Sequence, residues 1–217
     1  MFMYTHQGNA YFAVESAAQK SYIRVLHASP DAPAVDIYAN DNLLIKNLGY
    51  KQLSKYLPVT PGNYRIQVYP TGQRTKPVLD TKVTAPPNSA YTIAAIGKLA
   101  DLSLLPIPEM YMPPMPMGDQ AYVRFTHLSP NAPAVDITLP DGNKLFDDVS
   151  YKETTDYIAV SPDTYTLQVR PAGSDQVVLT VPGVMLMPGM IYTVSAVGLV
   201  GETPPLEAIL STDGNYR

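Results

Sequence analysis

Two histidine–aspartate pairs are the side chains of this chain best equipped for chemistry. His27 and Asp36 stand nine residues apart, and His127 and Asp136 repeat that spacing one hundred residues later. Ser29 and Ser129 follow each histidine by two positions. Imidazole, carboxylate and hydroxyl are the parts of a nucleophilic triad, and imidazole with carboxylate is the beginning of a metal site. The neighbouring residues argue against both. Ser29 precedes Pro30, and no glycine loop of the kind that holds an oxyanion accompanies it. A metal needs three or four ligands, and Asp31 or Asn131 is the obvious local addition. A scaffold feature also repeats more simply than an active site does. The reading is therefore structural: each aspartate accepts from turn amides or from its histidine and locks the bend between them. His27, Ser29, Pro30, Pro33 and Asp36, with His127, Ser129, Pro130, Pro133 and Asp136, form this motif. No catalytic residue, metal ligand or cofactor is expected. His6 is given no role.

The bend lies inside a repeat. Tyr22 to Ile37 reads YIRVLHASPDAPAVDI, and Tyr122 to Ile137 reads YVRFTHLSPNAPAVDI, identical at eleven of sixteen positions. Each copy begins with a β-branched run that suits a strand. Two prolines then remove ladder donors and fix φ, which makes a rigid turn. Val35 to Tyr38, Leu43 to Ile45, Tyr64 to Tyr69, Val78 to Val83, Tyr91 to Gly97 and Leu102 to Leu105 read as further strands. Tyr64, Ile66 and Val68 share a face at period two, while Tyr91 to Gly97 is a continuous apolar run that belongs in mid-sheet. Seven or eight short strands per copy predict an all-β chain of two tandem antiparallel sandwiches of immunoglobulin-like kind. The expected bounds are an N-terminal arm over 1–20, sandwiches over 21–106 and 120–210, a linker over 107–119 and a tail over 211–217. Arg24 and Arg124 sit in mid-strand, where an ion pair is expected, with Asp36 and Asp136 as available partners. Tyr64 and Tyr165 follow turns, where a hydroxyl bonds back to the backbone as in a tyrosine corner.

Composition removes several function classes. A net charge of −4 leaves no basic footprint for nucleic acid. Cysteine is absent, so disulfides, thiolate zinc and cysteine nucleophiles are excluded. Residues 1–20 lack a basic region and a sustained apolar run, which reads as no signal peptide, and no stretch is long enough to span a bilayer. The linker carries four prolines and four methionines in thirteen residues. It predicts a semi-rigid, adaptable spacer. Sixteen tyrosines stand against four phenylalanines and no tryptophan. Tyr38, Tyr50, Tyr56, Tyr69 and Tyr111 are expected to lie partly exposed. Tyr11, Phe12, Tyr38, Tyr111, Met112 and Met115 are the candidate interaction residues. Absence of tryptophan favours protein contact over sugar stacking.

Three motifs recur in the same order in both copies: H-x-S-P-[DN]-A-P-A-V-D-[IV], then P-G-x-Y-x-[IL]-x-V, then Y-T-[IV]-x-A-[IV]-G. Together they resemble the bacterial DUF4397 family. The second copy departs at Asp163, opposite Gly62, and at Asn131, opposite Asp31. The resemblance implies tandem β-sandwiches of envelope or secreted proteins and carries over no catalytic residue. The expectation for function is a non-enzymatic structural or adhesive protein of a bacterial cell or spore surface. Its expected partner is itself, through the N-terminal arm, or another surface protein. A glycan- or peptide-binding module using the sandwich-end loops is the alternative, and an enzyme built on the His/Asp pairs ranks last.

Overall fold

The computed structural model describes residues 20–110 and 118–216. β-branched and alternating segments become strands throughout, sixteen among the described residues, with one 3-10 turn at Leu99–Asp101. The first half contains β1 (Ser21–His27), β2 (Val35–Ala39), β3 (Asn42–Leu48), β4 (Leu57–Val59), β5 (Gly62–Pro70), β6 (Leu79–Ala85), β7 (Ala90–Ile96) and β8 (Ser103–Pro108). The second half repeats them as β9 (Ala121–His127), β10 (Val135–Thr138), β11 (Lys144–Val149), β12 (Ile158–Val160), β13 (Asp163–Pro171), β14 (Leu179–Leu186), β15 (Ile191–Val197) and β16 (Glu207–Asp213). Each half makes two sheets, ordered β4-β1-β7-β8 and β3-β2-β5-β6 in the first, β12-β9-β15-β16 and β11-β10-β13-β14 in the second.

The all-β sandwich architecture expected from the repeats is what the chain adopts. The pairing is antiparallel apart from β1 with β7 and β9 with β15, which run parallel. A parallel pair needs a crossover, and the excursion through the opposite sheet supplies it. Within the first half, Val25, Ile93 and Ala95 meet Val35, Ile37, Ile66 and Val68 across the sandwich. The alternate residues of the same strands point the other way. Leu26, Ala94, Ile96 and Ile107 form a separate cluster with Leu128 and Val197 of the second half. The β4-β1-β7-β8 sheet is thus covered on both faces, which is why β7 reads as a near-continuous apolar run.

Several expectations need correction at the ends of the repeats. Ile107 and Pro108, assigned to the linker, belong to β8, and Ile107 is 2% exposed. Ser211 to Asp213, assigned to a polar tail, belong to β16, and Asp213 is buried. The physical reason in both cases is a carboxylate, Glu109 or Asp213, that anchors the strand end to an arginine. β4 and β12 were not anticipated, because three residues give no periodicity. The arm residues Tyr11 and Phe12 and the linker residues Tyr111, Met112 and Met115 lie outside the described residues.

Candidate functional site

The bend motif is built from backbone outward. β1 ends at His27, and the chain crosses through Pro30 and Pro33 to β2 in the facing sheet. His27 Nε2 lies 3.0 Å from the Pro33 carbonyl, and His127 Nε2 lies 3.0 Å from that of Pro133. An acceptor there fixes the tautomer with the proton on Nε2. Ser29 donates to the Gly97 carbonyl at 2.6 Å and Ser129 to the Gly198 carbonyl at 2.7 Å, tying the bend to the end of β7 or β15. Gly97 has φ +87°, and a Cβ there would stand 2.7 Å from the Asp101 carbonyl oxygen; at Gly198 it would stand 2.0 Å from that of Pro205. The closing glycine of the third motif is therefore a steric requirement. Asp31 accepts from the Leu99 amide and Asn131 from the Val200 amide, at 2.7 and 2.8 Å. Either side chain offers that oxygen, so the substitution between copies changes little.

The histidines do not meet the aspartates. Asp36 accepts from the amides of Asn47 and Gly72 at 2.8 and 3.0 Å, and from the Thr71 hydroxyl. Asp136 accepts from the amides of Asp148 and Gly173 and faces Lys144 Nζ at 2.8 Å. Burial opposes the charge of both carboxylates, but these donors outweigh it, hold Asp36 below the ordinary carboxylate range and bring Asp136 to about 2. Burial lowers both histidines, which stay neutral. His27, His127, Asp36 and Asp136 are each at most 5% exposed, so no open cleft reaches either pair.

The arginines correct a second expectation. Arg24 does not pair with Asp36. Its Nε donates to Thr92 Oγ1 at 2.8 Å and to Glu109 Oε1 at 3.1 Å, its Nη1 donates to the Thr212 carbonyl at 2.7 Å, and its Nη2 pairs with Asp213 of the second half. Arg124 mirrors it: Nε donates to Thr193 Oγ1 at 2.8 Å, Nη1 to the Pro108 carbonyl at 2.6 Å, and Nη2 lies 3.5 Å from Asp213 Oδ2. Tyr56 and Tyr157 lie under the guanidinium groups at 4.6 and 4.4 Å and donate to Glu109 and Asp213. Burial, then the neighbouring carboxylates, push both phenols far above their ordinary range, so they remain donors. This seam of two cations and two anions is a pseudo-symmetric clamp between the halves. It was missed because Glu109 and Asp213 lie at the strand ends, though the matched pairs Arg24/Arg124 and Thr92/Thr193 within apolar strands were a visible signal.

The tyrosines divide. Tyr64 and Tyr165 donate to the carbonyls of Thr60 and Ser161 at 2.6 and 2.7 Å, the back-bond expected of each. Tyr69 is buried rather than partly exposed. Tyr38 is half-buried, edge-on to Tyr69, with the Arg74 guanidinium 4.1 Å from its ring. Among the described residues no group of three metal-ligating side chains occurs, and no helix is long and apolar enough to cross a membrane.

No curated protein matches the chain. Among solved structures, the C-terminal domain of AlgF from P. aeruginosa is similar at 19% identity and TM-score 0.35, over 43% of this chain and 98% of that one. A fimbrial assembly protein from Parabacteroides distasonis is similar at 10% identity and TM-score 0.26, over 89% of this chain and 95% of that one. A putative cell adhesion protein from Bacteroides fragilis is similar at 12% identity and TM-score 0.21, over 88% and 96%. Scores this low carry no argument about function. The family model for the domain of unknown function DUF4397 matches residues 21–138 and again 121–216, and with both bends, both tyrosine back-bonds and both closing glycines in place, the chain belongs to the DUF4397 family.

Proposed function

We propose that this chain is a non-enzymatic structural protein of a bacterial cell or spore surface, a stiff double sandwich that associates with further copies of itself. One observation carries the reading. Every group capable of chemistry in the repeated motif is spent on the scaffold: the histidines on proline carbonyls, the aspartates on turn amides, the serines on glycine carbonyls. The arginines are spent on fastening the two sandwiches together. What remains is a body suited to bearing contacts. Surface placement follows what membership of this family implies.

Light scattering with negative-stain microscopy tests this. Species larger than the monomer, growing with concentration, are expected; a strict monomer at high concentration overturns self-association. A hydrolytic alternative would show as an activity abolished in His27→Gln/His127→Gln at unchanged melting temperature. The structural reading expects a lowered melting temperature and no activity to lose.

A further inference from the structure

The two halves differ in the filling of their cores, which the repeat does not explain. Between its sheets the first sandwich holds an apolar pocket of about 300 Å³, lined by Val25, Ala39, Ile66, Ala85 and Ile93 among others. The matching space in the second is about 10 Å³. Phe125 stands there in place of Val25, Phe146 in place of Ile45, Leu139 in place of Ala39 and Leu186 in place of Ala85, and all four pack in that core. Unfilled interior forfeits dispersion contacts, so well-packed cores do not leave such a space. The pocket shares Val83, Thr84, Leu104 and Pro106 with a cleft of about 320 Å³ between β6 and β8, the free edges of the two sheets. In the second half β14 lies against β16 on that side.

The edges differ as well. The Glu109 amide donates to the Ala90 carbonyl, which leaves the backbone groups of alternate β8 residues, Leu104, Pro106 and Pro108, facing the open edge. Two of the three lack an N–H, so β8 cannot accept a regular ladder. β14 carries Pro182 and Gly183 at a register break. β6 has neither proline nor break. The Asn40 amide donates to the Arg65 carbonyl, which commits alternate β5 residues to β2 and leaves Asp80, Lys82 and Thr84 of β6 with N–H and C=O facing outward. One regular open strand edge thus borders one unfilled apolar pocket.

Resting on the self-association proposed above, we infer that this edge accepts the segment Ala10–Val14 of a second copy as an added strand, with Ala10, Phe12 and Val14 turned into the pocket. The other apolar sequences outside the described residues are 111–117, whose Pro113, Pro114 and Pro116 bar it from a ladder, and Met1–Tyr4, which at four residues presents only two side chains to one face. Ala10–Val14 has no proline and is long enough to put three side chains on one face, and the register that turns Ala10, Phe12 and Val14 inward places Glu15 outward toward Lys82. Direction favours a second copy over the same one. β6 and β8 both run toward the end where Ser21 pairs with Val59 and bonds the Pro86 carbonyl. A segment folding back from Ser21 would run parallel to both edges, whereas one from another copy can run antiparallel, the stronger ladder. Glu15–Lys20 spans about 20 Å at full extension, a reach sufficient for a neighbouring copy.

The chain has no cysteine, which makes a two-component test clean. Ala13→Cys and Thr84→Cys chains, which keep the Phe12 anchor and bring both thiols to the outward face beside Glu15 and Lys82, are mixed and oxidised, and the expected result is a disulfide-linked pair that forms only on mixing. Val25→Phe, or Ala85→Leu should the first misfold, fills the pocket and is expected to raise the concentration for association about tenfold, as loss of an aromatic anchor does. Association that persists unchanged in both filled variants, with no cross-link, overturns the site while leaving self-association standing. A strictly monomeric chain overturns both. An internal disulfide in a monomeric Ala13→Cys/Thr84→Cys chain, a Met112→Cys cross-link to Thr84→Cys instead, or a co-purified acyl chain retained in the pocket overturns the choice of occupant.

Discussion

His27 and Asp36 serve two different ends of one bend, and each makes a prediction about acid. His27 is held neutral by burial with its Nε2 on the Pro33 carbonyl, and its Nδ1 has no hydrogen-bond partner. A proton added at Nδ1 would be buried without an acceptor. The folded state therefore refuses a proton that the unfolded chain takes up near pH 6.5, and stability falls as pH drops through that value. The urea midpoint is expected to be lower at pH 5.5 than at 7.5, with the difference shrinking in His27→Gln/His127→Gln. At neutral pH that double variant should lose about 1–3 kcal/mol per site. The aspartates act in a separate window: their contribution is intact above about pH 4 and lost only as pH falls through the lowered folded values, to about 2 for Asp136. Sequence alone exposed this motif, since the prolines, the spacing and the duplication all spoke for a rigid bend. It could not show that imidazole and carboxylate face separate partners. Asp36's donors, Asn47 and Gly72, come from strand ends eleven and thirty-six residues away.

At the scale of strands, the buried seam is where the reading of the chain stopped short. Arg24 was legible as a paired residue, but its partner Asp213 lies 189 residues on and belongs to the other repeat. No local period links the two. The same anchoring explains why β8 and β16 outrun their expected ends. A buried ion pair broken on one side leaves the other charge uncompensated, at about 3–5 kcal/mol. Asp213→Ala removes the acceptor facing both arginines and should cost that much, measured by urea denaturation. Asp80→Ala, which breaks the exposed pair with Arg65, should leave the midpoint nearly unchanged. If the two variants behaved alike, the seam would not be holding the sheets together. The inner strands β7 and β15 were plainer, because continuous apolar runs mark strands covered on both faces. Their second covering, the other half of the molecule, was not foreseen.

For the molecule as a whole, that second covering decides how it unfolds. Tandem domains joined by a spacer ordinarily unfold separately, each at its own midpoint. Here Leu26, Ala94, Ile96 and Ile107 share a cluster with Leu128 and Val197, and Asp213 faces an arginine of each half. Neither half can leave without exposing apolar area of the other and stranding a buried charge. Calorimetry of the whole chain should therefore show one transition, even though the unfilled first sandwich is intrinsically the weaker. Val194→Ala, deep in the second core, should shift that entire transition downward by about 1–2 kcal/mol rather than detach a component from it. Asp213→Ala should do the opposite: with the clamp released, the trace should broaden or split, the first half melting earlier. Two resolved transitions in the unaltered chain would mean that the cluster and the seam contribute too little to couple the sandwiches, and the picture of one stiff block would have to give way to two beads on a spacer.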